Sequence, residues 1–195
     1  PRGQLRARAQ GELDRTAMHW SGALARLEGE APALGSWALE APAPRLALAP
    51  AAARLERACL RGTAQAGRLC IAGAWETGEP SSLTLELDAL PLAVLSPAVT
   101  GELSGGFSGA VAADGALAVD GRLRLGPGEV RLPEGLEKTE LEHGGGTVAM
   151  TVGEEGLLAT IELAAPADGS LSAALRLPAL HSLPPAPEPP LEGTL

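Results

Sequence analysis

The sequence predicts an all-β fold. Between about Trp37 and Leu177 apolar residues recur at every second position in short stretches, each closed by glycine or proline. Successive side chains of a strand point to opposite faces, so this pattern builds a sheet with one apolar and one polar face. Turn signals recur every 8 to 12 residues or so, the spacing of an all-β architecture.

In chain order, residues 1 to 32 alternate more weakly through Leu5, Leu13, Leu24 and Leu27, with glycines between, and read as edge or poorly regular strands. Trp37 to Leu39 and Leu46 to Leu48 are two short strands separated by Pro42 and Pro44, which cannot donate to a ladder. Ala51 to Leu60 has helical propensity, yet it leads into a cysteine-containing hairpin and is read as extended. Gly73-Ala74-Trp75 and a turn at Glu79-Pro80-Ser81 precede the best-patterned strand, Leu83 to Leu87. After Asp88, Pro91 suits a first helical turn and Pro97 a stop, so one short helix is expected near 91–96, with Leu92 and Leu95 plugging an end or side of the sheet.

Alternation then resumes through Leu117, Val119, Leu123 and Leu125, then Val148, Met150 and Val152, then Leu157, Ala159, Ile161 and Leu163. Turn signals fall at Asp114-Gly115, Asp120-Gly121, Gly126-Pro127-Gly128, Pro133-Glu134-Gly135, Gly144-Gly145-Gly146, Gly153 to Gly156 and Asp168-Gly169. Asp-Gly is the strongest, because it fits the positive-φ positions of a tight hairpin turn. Residues 1–182 are read as one β unit with a weak subdivision near 90–100, 183–190 as an extended proline-rich connector, and 191–195 as the start of a further unit of a longer protein.

Cys59 and Cys70 flank a turn-prone segment, which puts their sulfurs across a hairpin. That spacing favours a disulfide, and with it an oxidising compartment such as the periplasm, over two buried free thiols. A metal site is not expected, since nothing near them supplies third and fourth ligands. A formal net charge of −9 disfavours nucleic acid and anionic membrane surfaces, which are held by clustered Lys and Arg. No run of residues reaches the roughly 18 needed for a membrane-spanning helix. A transmembrane β-barrel needs aromatic girdles, and this chain has no tyrosine.

No catalytic signature emerges, so the chain is not read as an enzyme, and no cofactor is expected. His19, His143 and His181 are far apart, and Glu140, Glu142 and His143 beside a triple glycine read as solvated loop residues. Trp37 and Trp75 read as rim or core anchors.

The stretch Leu87-Asp88-Ala89-Leu90-Pro91-Leu92-Ala93-Val94-Leu95, followed by Gly101-Glu102-Leu103-Ser104-Gly105, resembles the TamB family of bacterial envelope proteins. Gly35-Ser36-Trp37-Ala38-Leu39, Cys59-Leu60, Arg68-Leu69-Cys70-Ile71 and Gly73-Ala74-Trp75 carry the same likeness, and together these cover most of residues 19 to 180. The resemblance implies an elongated, curled antiparallel sheet, a β-taco trough of the AsmA-like and bridge-like lipid transfer class. It implies a periplasmic location in an inner-membrane-anchored protein whose anchor lies outside this chain. It also implies phospholipid movement between the inner and outer membranes.

From periodicity alone, an alternating apolar face is ordinarily half of a closed core. The resemblance points instead to an open groove for lipid tails, since an unfilled apolar face is a liability. The groove residues are then Leu83, Leu85 and Leu87; Leu103 and Phe107; Leu117, Val119, Leu123 and Leu125; Val148, Met150 and Val152; and Ile161 and Leu163. Thr84, Glu86, Arg122, Arg124 and Glu162 point outward. The alternative, which the resemblance also implies, is a scaffold assisting outer-membrane barrel assembly with a TamA-like, Omp85-type partner, whose strands would pair with exposed sheet edges.

Overall fold

The computed structural model describes residues 4–31, 35–63, 66–94, 96, 98–131, 140–165, 169–178 and 192–194. Strand makes up 76% of the structure and helix 1%, which settles the class as all-β. In chain order the strands are β1 (Gln4–Asp14), β2 (His19–Ala31), β3 (Gly35–Leu39), β4 (Arg45–Ala49), β5 (Ala52–Gly62), β6 (Arg68–Glu76) and β7 (Ser81–Pro91). They continue with β8 (Glu102–Val111), β9 (Leu117–Leu125), β10 (Gly128–Arg131), β11 (Glu140–His143), β12 (Gly146–Gly153), β13 (Gly156–Ala165), β14 (Gly169–Leu177) and β15 (Glu192–Thr194).

Among the described residues, thirteen strands form one antiparallel sheet running from β1 to β15, with β10 and β11 set apart as a separate pair. Neighbours in sequence are neighbours in the sheet, apart from the excursion of β10 and β11 between β9 and β12. β3 and β4 behave as one strand interrupted by the Pro42 and Pro44 segment. Both lie between β2 and β5, β3 against Glu28–Ala31 and β4 against Trp20–Ala23.

Of the edge or poorly regular strands expected at 1–32, β1 is the edge of the sheet, and β1 and β2 are regular: they form a long hairpin ladder with one irregularity at Arg8/Ala9. The glycine pair Gly11 and Gly22 does not break it because the Trp20 ring lies over both. Asp120-Gly121 is a second correction, since it sits in mid-strand within β9 rather than in a turn. Gly121 is there to receive the Phe107 ring, a packing demand that a local turn signal does not reveal.

β7 runs on to Pro91 through a bulge at Asp88-Ala89, where Ala89 takes a positive φ of 48° and its amide donates to Ser104 Oγ at 2.9 Å. Of the helix expected near 91–96, a single 3-10 turn forms at Leu92–Val94; Leu95 and Pro97 lie outside the described residues. Leu92 is buried, and its amide donates to the Gly101 carbonyl. The expected turn at Pro133-Glu134-Gly135 and the proline-rich connector also lie outside the described residues.

Residues 98–100 bond in turn to β10, through Arg131 N to Ala98 O and Thr100 N to Glu129 O. The 3-10 turn and the β10–β11 pair therefore stand together along one rim of the sheet, beside buried Leu103. Glu140, Glu142 and His143 prove to be on β11, not in a loop. Glu140 pairs with Arg131 at 3.5 Å, while both ring nitrogens of His143 are enclosed without a hydrogen-bond partner among the described residues.

Candidate functional site: the apolar face of the sheet

Register decides which side chains share a face, because residues opposite one another on paired strands point the same way. Leu85 faces Ile71 on one side and Phe107 on the other, and Phe107 faces Gly121, which faces Met150 and then Ala159. A parallel row runs Leu69, Leu87, Gly105, Leu123, Val148, Ile161. A third runs Gly73, Leu83, Gly109, Val119, Val152, Leu157. Leu103, Leu125, Gly146 and Leu163 form a fourth, and Leu117 faces Val111 at the opposite rim.

Every residue expected to line a groove thus lies on one continuous face across β7, β8, β9, β12 and β13. The outward set falls on the other face: Thr84 faces Ser108, Arg124 faces Thr147, and Thr147 faces Glu162. Several members of the apolar face were absent from the expected groove. Leu46, Leu55 and Ile71 on β4 to β6, and Leu171 and Leu175 on β14, continue the same rows, and Trp75 shares the face of β6 two residues beyond Gly73. The alternation of Leu46 with Leu48 and of Leu69 with Ile71 was the signal for them.

Among the described residues no second layer covers this face. Leu83 is 54% exposed and Leu171 50%, and no side chain among the described residues is fully enclosed. Leu103 and Val152 are the members of the expected set that are buried; Leu103 lies beneath the rim closed by the 3-10 turn.

The apolar face is concave. One cavity of about 510 Å³ touches Leu46, Leu55, Ile71, Leu83, Gly109 and Val119, which sit on six successive strands from β4 to β9. In a flat sheet β4 and β9 would be about 24 Å apart. The sheet is curled, and all six of these strands border one hollow. Trp75, Val111 and Leu117 complete the open rim of this hollow, opposite the rim closed by the 3-10 turn. A larger hollow, of about 700 Å³, is on the polar side and is lined by Ser21, Arg45, Arg54 and Glu56.

The cross-strand locks sit on the polar face, behind the trough. Cys59 and Cys70 are opposite one another on β5 and β6 and are disulfide-bonded. Beside them Arg57 pairs with Glu86, the residue opposite Cys70 on β7. Glu40 accepts from Arg61 Nε at 2.6 Å and from Arg68 Nε at 2.7 Å. The hydrogen bond from Arg68, reinforced by Arg61, holds the Glu40 carboxyl below its ordinary value of 4.5. With β5, β6 and β7 fastened from outside, no ion pair or disulfide among the described residues crosses the concave side of these strands. Trp37, by contrast, is buried close to Gly67, at the margin of β3.

Fold and face together define an open β-trough protein, a curled antiparallel sheet with a solvent-exposed apolar interior. A family model described as TamB, N-terminal domain, matches residues 2–194, and the chain belongs to the TamB family. The match is wider than residues 19 to 180, where the sequence likeness was read. The family is a transport and assembly module of the cell envelope. No curated protein and no solved structure matches the chain. No helix among the described residues is long and apolar enough to cross a membrane.

Proposed function

We propose that this domain is one section of a periplasmic hydrophobic conduit that carries phospholipid between the inner and outer membranes, with the lipid tails lying in the concave face. The observation that carries the reading is the exposure of that face: among the described residues no second layer lies over its rows of leucine, valine and isoleucine, most of which are half-buried or exposed. Burying an acyl chain there gains about 0.8 kcal/mol per methylene, without any specific contact. Charged and polar groups stand on the outer face, so head groups remain in water at the open rim. The disulfide supports a periplasmic setting, because such bonds persist in oxidising compartments.

The test is a charge placed in the trough. Leu85→Asp puts a carboxylate in the middle of the apolar rows, at a position that is half-buried rather than enclosed. Phospholipid exchange between the membranes is expected to fall sharply while the protein stays folded and abundant. Normal exchange in cells carrying Leu85→Asp would contradict the proposal.

A second reading draws on β1, which is paired on one side only and exposed along its whole length. An edge of that kind accepts a partner strand, here one from a TamA-like barrel protein. Under that reading Ala7→Pro abolishes partner binding and Leu85→Asp does little.

A further inference from the structure

We propose that Gly109 is a clearance position, kept without a side chain so that an acyl chain can lie in the trough beside Leu83. The inference rests on the conduit reading above and names a residue that shapes its groove.

A glycine inside a strand weakens it and calls for a reason: a positive φ, a close backbone approach, a packed ring or a nearby ligand. The glycines of the apolar face differ in this respect. A Cβ at Gly73 would stand 2.8 Å from the Ser82 carbonyl oxygen. Gly105 has a φ of 135° and lies against the Arg122 backbone. Gly121 is covered by the Phe107 ring, and Gly146 lies against the Glu162 backbone.

Gly109 has none of these reasons. It is not among the residues with positive φ, and the nearest atom to an added Cβ is Val119 Cγ2 at 3.4 Å, an ordinary contact. The space is instead the 510 Å³ hollow, which Gly109 lines together with Leu83 and Val119. Leu83 stands between Gly73 and Gly109; its Cδ1 leans over Gly73, the flank towards Gly109 is bare, and it is among the most exposed apolar residues of the trough. A methyl at 109 would touch Val119 without a clash and take up the first part of that space. A leucine there fills the hollow between Leu83 and Val119.

The experiment compares the full-length protein with Gly109→Ala, Gly109→Leu and, as an outward control of equal bulk, Ser108→Leu. Each is incubated with phosphatidylglycerol vesicles and re-isolated, and its bound lipid is counted by native mass spectrometry; the thermal midpoint and the Cys59–Cys70 bond report on folding. Ser108→Leu is expected to keep the lipid of the parent protein, and Gly109→Ala to retain an amount between that of the parent and that of Gly109→Leu. Gly109→Leu is expected to lose roughly tenfold in retained lipid, the equivalent of about two displaced methylenes, at an unchanged midpoint. Should Gly109→Leu fail to fold, Gly109→Val, with higher strand propensity and smaller bulk, is read in the same way. A folded Gly109→Leu that retains as much lipid as the parent overturns the role of Gly109 and leaves the conduit standing. A parent protein that takes up no phospholipid removes the conduit reading, and the clearance role with it.

Discussion

The Phe107 ring lies over the bare Cα of Gly121 on the neighbouring strand, so that a Cβ at 121 would fall inside the ring. The sole phenylalanine of the chain is thereby laid against the sheet, at a row that also holds Leu85 and Met150. Gly121→Ala must lift the ring, and overpacking of this sort costs about 1–3 kcal/mol. The expected result is a lower denaturation midpoint for Gly121→Ala, restored in part by the double variant Phe107→Leu/Gly121→Ala. Additive effects of the two changes would show that ring and glycine do not interact.

Arg61 and Arg68 also face each other, on β5 and β6, and like charges in that relation repel. Glu40 resolves the conflict by accepting from both. Its pKa is lowered in the fold, first by the Arg68 hydrogen bond, so the charged carboxylate is the favoured form. The stability it contributes is complete above its ordinary value of 4.5 and is lost as pH falls through the lower folded value. Urea midpoints measured between about pH 6 and about pH 3 are expected to fall more steeply for the parent than for Glu40→Gln. Identical slopes would remove Glu40 as the linked group.

The disulfide closes a loop with a sequence separation of 11, which corresponds to about 3 kcal/mol of stabilisation through the unfolded chain. Cys59→Ser/Cys70→Ser is expected to lose about that much in equilibrium denaturation. Because the bond lies on the polar face, the folded double variant is expected to retain bound phospholipid at low temperature. Loss of lipid from a folded double variant would mean that the staple also shapes the trough.

Much of this architecture is legible in the sequence because the strand period is two and survives in short, glycine-bounded stretches. The alternation through Leu117, Val119, Leu123 and Leu125 marks both a strand and the face it presents. The extended reading of 51–60 holds as β5 although its composition favours helix, since its neighbours β4 and β6 supply the ladder. Where sequence reading failed, a partner strand had decided the outcome. Asp120-Gly121 has the chemistry of a turn, but the Phe107 ring claims the glycine. Pro91 suits a helix start, yet β8 holds β7 in register up to that residue. The open part of the trough was half visible. Leu83, Leu117 and Val119 were expected there; the alternation of Leu46 with Leu48 and of Leu69 with Ile71 marks the faces of their strands, but that these strands border the same hollow is decided by curvature and cross-strand register.

The most direct test is side-specific photo-crosslinking in cells, with a photoreactive residue at Leu83 in the trough or at its outward neighbour Thr84. Phospholipid adducts are predicted from position 83 and not from position 84. Equal labelling at both positions, or none at 83 in an abundant and folded protein, would contradict the account.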